Sequence, residues 1–205
     1  MNSLPDSEII KFLKDNIEPL DDNVYGLGYR ASATLKDGTY LPCVTFRNPH
    51  PTVNLAIKRF KEEQSGKSIF SKSSALVYRQ IVKSFVTSGN CVNHYDIATF
   101  DKSRFAFPLS IQELIQGETA MSWTAFVAKF KDGRQLSFGT TWNWEYFDLP
   151  DGYNSNDTIE IINHSYLLKT GEVVKHGSIN REVKREDLSI TYKDRQFFEC
   201  YIDNL

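Results

Sequence analysis

The chain has no apolar run approaching the ~20 residues that a membrane-spanning helix needs. It has little excess charge: 24 Lys and Arg stand against 26 Asp and Glu, a formal net charge of -2. That balance excludes bulk attraction to nucleic acid or to an anionic membrane, though not a local patch. Cysteine is scarce as well. Cys43, Cys91 and Cys200 are odd in number and far apart, which does not make a disulfide framework. The opening "MNSLPDSEII" lacks a basic segment followed by an apolar core, so it does not read as a secretory signal. Reduced thiols and a cytoplasmic location are the expectation. In that compartment the glycosylation patterns at Asn156 and Asn163 carry no meaning.

Hydrophobic residues make up 40% and charged residues 24% of the 205, enough to bury a core without staples. Ile10, Leu13 and Ile17 recur at helical spacing and predict a helix over 7–17, capped by Asp6 or Ser7. Thr52 is expected to cap a second helix with Val53, Ile57 and Phe60 as its stripe. A third, from Ser74 to Val86, is apolar nearly all round. After residue 90 the period changes to two. Hairpins are predicted around Asp37-Gly38, "DKS" at 101–103, Lys131-Asp132-Gly133, Thr170-Gly171 and Lys193-Asp194, with a short helix opened by "SIQE" at Ser110. The first is expected to pair Leu35 with Tyr40, Ala31 with Val44 and Tyr29 with Phe46. The third pairs Ala128 with Leu136 and Phe126 with Phe138. The fold class is therefore α+β: an antiparallel sheet built from several hairpins, with helices mostly in the N-terminal half packed on one side. The chain reads as one domain, 1–205, helix-rich over 1–89 and hairpin-rich over 90–205.

"ATLKDGTYLP" at Ala33 returns as "AKFKDGRQLS" at Ala128, and Ala33–Asn48 shares seven of sixteen residues with Ala128–Asn143. Asp and Gly are what a tight hairpin loop requires, and a neighbouring Lys keeps its tip solvated. The flanks differ, so the repetition reads as shared turn chemistry rather than duplication.

No motif assembles a catalytic centre. Gly66-Lys67-Ser68 has Lys61 where a phosphate-binding loop needs glycine. Cys91-x-x-His94 lacks a second close pair for zinc, since Cys43 and His50, the nearby candidates in the first half, do not form a tight pair. On an extended strand Cys91 would face away from His94 and Asp96, a poor Cys-His triad. His50, between two prolines and near Arg47, reads as the entry to a helix rather than an anion site. No catalytic residue, metal or cofactor is therefore assigned.

The informative stretch is Trp142 to His164. It holds Glu145, Asp148, Asp151, Asp157 and Glu160 with no Lys or Arg, interleaved with Trp142, Trp144, Tyr146, Phe147 and Tyr153. Tyr153 occupies a ligand position that a calcium loop would need. Aromatic rings supply binding energy, and carboxylates steer basic partners. Trp142, Trp144, Glu145, Tyr146, Asp148, Asp151, Tyr153 and Asp157 are thus the predicted partner-binding residues. The expected partner is another protein with a basic surface, occluded as by an inhibitor, immunity or anti-defence protein. A hydrolase using Glu145, Asp148, His164 or Cys91 is the alternative. Nucleic-acid binding through Lys58–Lys83 is the second alternative.

Overall fold

The computed structural model describes residues 4–64 and 90–205. The Gly66-Lys67-Ser68 stretch, the helix expected from Ser74 to Val86 and most of the Lys58–Lys83 basic stretch lie outside the described residues.

The chain is mixed α+β. In order come α1 (Asp6–Asn16), β1 (Pro19–Asp22), β2 (Gly26–Leu35), β3 (Tyr40–Arg47), α2 (His50–Gln64), β4 (Ile97–Lys102) and the short α3 (Leu109–Gln112). There follow β5 (Thr124–Phe130), β6 (Gln135–Thr140), β7 (Thr158–Asn163), β8 (Ser165–Leu167), β9 (Val173–Lys175), β10 (Thr191–Lys193) and β11 (Phe198–Tyr201). No helix among the described residues is long and apolar enough to cross a membrane. The chain divides into two compact units. The first runs to Lys102 and resumes at Phe197–Leu205, and the second is Ser103–Gln196. The division does not fall at residue 89, because β4 and β11 hydrogen-bond into the N-terminal sheet.

In the first unit, Pro5 occupies the N-cap of α1, with Asp6 and Glu8 in its first turn, where the helix dipole favours negative charge. Ile9, Leu13 and Ile17 form the buried stripe, one residue off the expected Ile10 start. They pack with Tyr29, Ala31, Val44, Phe46, Ile97 and Ile202 in one core. Helix α2 begins at His50, whose N–H donates to Asn48 Oδ1 at 2.9 Å. Its buried positions are Thr52 and Ala56, while Val53 and Ile57 are exposed, opposite to the expected stripe. The polar side chains Arg30, Ser32 and Thr45 of the first hairpin are nearly inaccessible too.

The first hairpin pairs Tyr29 with Phe46 and Ala31 with Val44 as expected, but Thr34 rather than Leu35 with Tyr40. A register shift between Ala31 and Ala33 reconciles the two ends. The loop is the three-residue Lys36-Asp37-Gly38, with Gly38 in the left-handed region at φ 90°. The third hairpin has the same loop and the expected pairing of Ala128 with Leu136 and Phe126 with Phe138.

Two expected hairpins are not formed. Strand β4 pairs with β2, and no strand follows "DKS" to pair with it. Around Lys193-Asp194, β10 and β11 do not pair with each other. Strand β10 runs parallel to β6 and β11 parallel to β3. The stretch Lys193–Phe197 contains no glycine to close a tight turn.

Four strands of each unit follow the same path, and β1 of the first has no counterpart in the second unit's four-stranded sheet. In the first, β4 lies antiparallel on the outer side of β2, and β11 lies parallel on the outer side of β3. In the second, β7 lies antiparallel on β5, and β10 parallel on β6. The β2–β4 register runs from Ala31–Lys102 to Leu35–Ile97, with one shift before the last pair. The β5–β7 register runs from Phe126–Asn163 to Phe130–Thr158, with a shift at the same place. A 3₁₀ turn precedes the outer strand in both, His94–Asp96 and Ser155–Asp157, with Asn93 and Asn154 at the N-caps. Lys36 N donates to Asp96 O, and Lys131 N to Asp157 O, each at 2.9 Å. Turn chemistry alone does not produce these distant pairings. The likeness that the sequence showed in one loop extends to the four strands the units share.

The second unit's core is aromatic. Phe107, Phe126, Phe138 and Phe147 are buried, with ring centroids 5.3–6.1 Å apart and mostly edge-to-face. Burying each contributes roughly 1.5–3 kcal/mol. The expected hairpin at Thr170-Gly171 forms between β8 and β9.

Candidate functional site

The β5–β6 hairpin organises the second unit's surface at two ends. At one end Thr124 pairs with Thr140. The chain entering β5 and the chain leaving β6 therefore lie together there. Just before β5, Ala120 and Trp123 close a two-residue turn, with Trp123 N donating to Ala120 O at 2.8 Å and Ala120 N to Trp123 O at 3.1 Å. Its central residues, Met121 and Ser122, have φ 29° and 62°. Left-handed geometry at both positions normally calls for Asn and Gly. Holding methionine there costs about 1 kcal/mol or more. Met121 is 96% exposed at the apex of this turn. Trp142, two residues beyond β6, is 83% exposed. Trp123, which ends the turn, lies across Gly139 and donates from Nε1 to Tyr166 Oη at 3.1 Å.

The other predicted contact residues are dispersed from this end. Trp144 is half-buried, its ring 6.4 Å from Phe147 and its carbonyl accepting from Gln112 Nε2 at 2.9 Å. Glu145 is half-buried, and its N–H donates to Asn143 Oδ1 at 3.1 Å. Tyr146 is fully buried and belongs to the core, so it presents nothing to a partner. The carboxylates, which have no cation in their own stretch, receive cations from elsewhere in the chain. Asp148 meets Arg195 at 2.7 Å, Asp151 meets Arg104 at 3.2 Å, Asp157 meets Lys131 at 3.0 Å and Glu160 meets Lys129 at 3.9 Å. These exposed pairs add little stability. They do cancel most of the negative field that the sequence suggested.

At the opposite end, the Lys131-Asp132-Gly133 tip borders a cavity of about 230 Å³, which Tyr153, Asn154 and Asp157 also line. Tyr153 stands edge-on to Phe130 with centroids 5.1 Å apart, and the Arg134 guanidinium lies 3.8 Å over its ring. Arg134 Nε bonds Asp132, and a terminal nitrogen donates to Gly152 O at 3.2 Å. The Asp132 carboxyl is held below its ordinary value, first by the Arg134 backbone N–H and also by the guanidinium, which rises in turn.

The hydrolytic candidates are engaged structurally. His164, at φ 55°, is a joint: its N–H reaches Ala125 O, its carbonyl accepts from His176 N, and its Nδ1 lies 3.1 Å from Thr119 Oγ1. Asp148 is held by Arg195. In the first unit, His94 sits in a 3₁₀ turn, not on a strand. Its Nε2 is 3.2 Å from Asp6 and its Nδ1 3.3 Å from Tyr201 O. Both nitrogens are occupied, leaving none to activate the exposed Cys91. Among the described residues no three or more His, Cys, Asp or Glu side chains are grouped to hold a metal.

No family model, curated protein or solved structure matches the chain.

Sequence reasoning missed Met121 and the Lys131/Arg134 cluster. Nothing in "TAMSWT" marks a left-handed turn, because neither central residue is glycine or asparagine. The cavity depends on Arg134 meeting Tyr153 across 19 positions of sequence.

Proposed function

We propose that the protein is a cytoplasmic protein-binding module that acts by occluding a partner, as inhibitors, immunity proteins and anti-defence proteins do. The observation carrying this reading is the exposure of Met121 and Trp142, 96% and 83%, on the two chain segments that flank the Thr124–Thr140 end of the β5–β6 hairpin. A water-exposed indole, and a methionine lifted on a strained turn, are poor arrangements for folding alone. They are good ones for filling an apolar pocket on a partner. The apolar tips, rather than the carboxylates of 142–160, then provide the affinity. Those carboxylates already hold cations, so a basic partner gains little steering from them.

The test is affinity capture from the native host, comparing wild type with Met121→Ser/Trp142→Ser and reading partners by mass spectrometry. A partner held through these tips should bind the double variant about 10- to 100-fold more weakly, with the melting curve unchanged. Equal capture by both proteins would refute the reading.

A further inference from the structure

We propose that the cavity at the Lys131-Asp132-Gly133 tip is a carboxylate-binding site, taking either a small organic acid or one acidic side chain. It lies at the opposite end of the β5–β6 hairpin from Met121 and Trp142, and the inference does not depend on that docking end.

Size comes first. About 230 Å³ is below the ~300–1,000 Å³ of sites for drug-sized ligands and suits one compact group. Donor supply comes next. A guanidinium has five N–H donors in a fixed fork. In Arg134, Nε serves Asp132, one terminal nitrogen serves Gly152 O and the Tyr153 side chain takes a further bond, which still leaves part of the four terminal N–H groups over. Lys131 Nζ reaches Asp157 Oδ1 at 3.0 Å and Asn156 O at 3.3 Å, so its third N–H is also left over. Asp132 accepts from Arg134, Gly152 O from the guanidinium and Asp157 Oδ1 from Lys131, and donors on both cations remain.

The fork is also pre-organised. Stacking on Tyr153, itself braced by Phe130, fixes the guanidinium plane before a ligand arrives. A carboxylate matches that fork with two parallel bonds. Asp132 and Asp157 on the rim favour a single negative charge over the two of a phosphate. The first unit supplies a control. Its tip has the same backbone bonds and the same Lys-Asp-Gly, but Thr39 stands where Arg134 does, and Val92 precedes the capping Asn93 where Tyr153 precedes Asn154. The cavity's furnishing is therefore not a by-product of the strand path.

The experiment titrates the full chain with succinate and, separately, with acetyl-Gly-Glu-Gly-amide at constant ionic strength. Amide and Arg Nε–H NMR signals are followed, with chloride and inorganic phosphate as comparison ions. Expected are saturable shifts at Gly133, Gly152 and Arg134 Nε, with a dissociation constant below ~10 mM. Arg134→Gln and Arg134→Lys should each weaken binding about tenfold or more, and Thr39→Ala should leave it unchanged. Tighter binding of the peptide assigns an acidic side chain, and tighter binding of succinate assigns a free acid. The proposal is overturned by shifts that do not saturate, by equal response to chloride, by tighter binding of phosphate, or by undiminished affinity in both Arg134 variants.

Discussion

Gly139→Ala is the substitution with the clearest worked consequence. A Cβ at residue 139 would lie 2.0 Å from Trp123 Cζ2 and 2.7 Å from both Cε2 and Cη2. No side chain tolerates such contacts, so the indole must move. Moving it breaks the 3.1 Å bond from Nε1 to Tyr166 Oη and disturbs the turn that ends at Trp123. Overpacking costs about 1–3 kcal/mol and the lost hydrogen bond about 0.5–1.5. Together these come to about 1.5–4.5 kcal/mol. Urea unfolding followed by tryptophan fluorescence should show the midpoint lowered by roughly 1–2 M at unchanged slope. The same change in a Trp123→Ala background should cost under ~1 kcal/mol, since the clashing ring is gone. The variant should also capture partner less well, because the Met121 turn is continuous with Trp123. A Gly139→Ala protein within ~0.5 kcal/mol of wild type, or one equally destabilised in both backgrounds, would refute the reasoning.

Thiol labelling should separate the three cysteines. Exposed Cys91 should react in the native protein, whereas Cys43 and Cys200 should react only on unfolding, and a second fast thiol would contradict the described burial. Burial, with smaller contributions from Cys91 and Asp6, pushes the Cys200 thiol up to about 12. Its contribution to stability is therefore complete below the ordinary value of 9.0 and is lost as pH rises toward about 12. Cys200→Ala should flatten that alkaline loss in a denaturation series, and an unchanged profile would count against it. Removing 103–196 and joining Lys102 to Phe197 through about five Gly and Ser residues should leave a first unit that still melts cooperatively. Lys102, Ala31, Val44 and Phe198 lie in one row across the sheet, so the gap is three strand spacings, about 14 Å. A non-cooperative product would show that the division into units is not a division in stability.

What the sequence made legible was local. The hairpins at Gly133 and Gly171 could be read because one glycine fixes the left-handed position and with it the loop, whereas at Gly38 the hairpin was legible but its loop is one residue longer than the expected pairing of Leu35 with Tyr40 requires. What escaped was pairing at a distance. Strands β10 and β11 are neighbours in sequence and looked like one hairpin, yet each joins a different sheet in parallel. Parallel pairing leaves no turn signal to read. The carboxylates of 142–160 looked unopposed because their cations, Arg104, Lys129, Lys131 and Arg195, lie outside that stretch. The aromatics could be counted but not sorted. Tyr146 and Phe147 went inward while Trp142 stayed out, and alternation ended with β6 at Thr140.

The common strand path supplies a comparison inside one chain. Lys36 and Lys131, Asp37 and Asp132, Gly38 and Gly133, Asn93 and Asn154, and Asp96 and Asp157 occupy matching places with matching backbone bonds. A loop rule accounts for the first three pairs. It says nothing about why an Asn-capped 3₁₀ turn ending in Asp should dock on that loop in both units, so duplication, with the second copy carried between β4 and β11 of the first, is the simpler cause. Positions that agree are then those the path requires. Positions that differ are free of that requirement, and Arg134 and Tyr153 are among them. So are Met121 and Ser122, since the first unit enters its hairpin through β1 and has no two-residue turn of this kind. Both features for which a function is proposed thus fall where one unit departs from the other, and neither follows from what the shared path needs in order to fold.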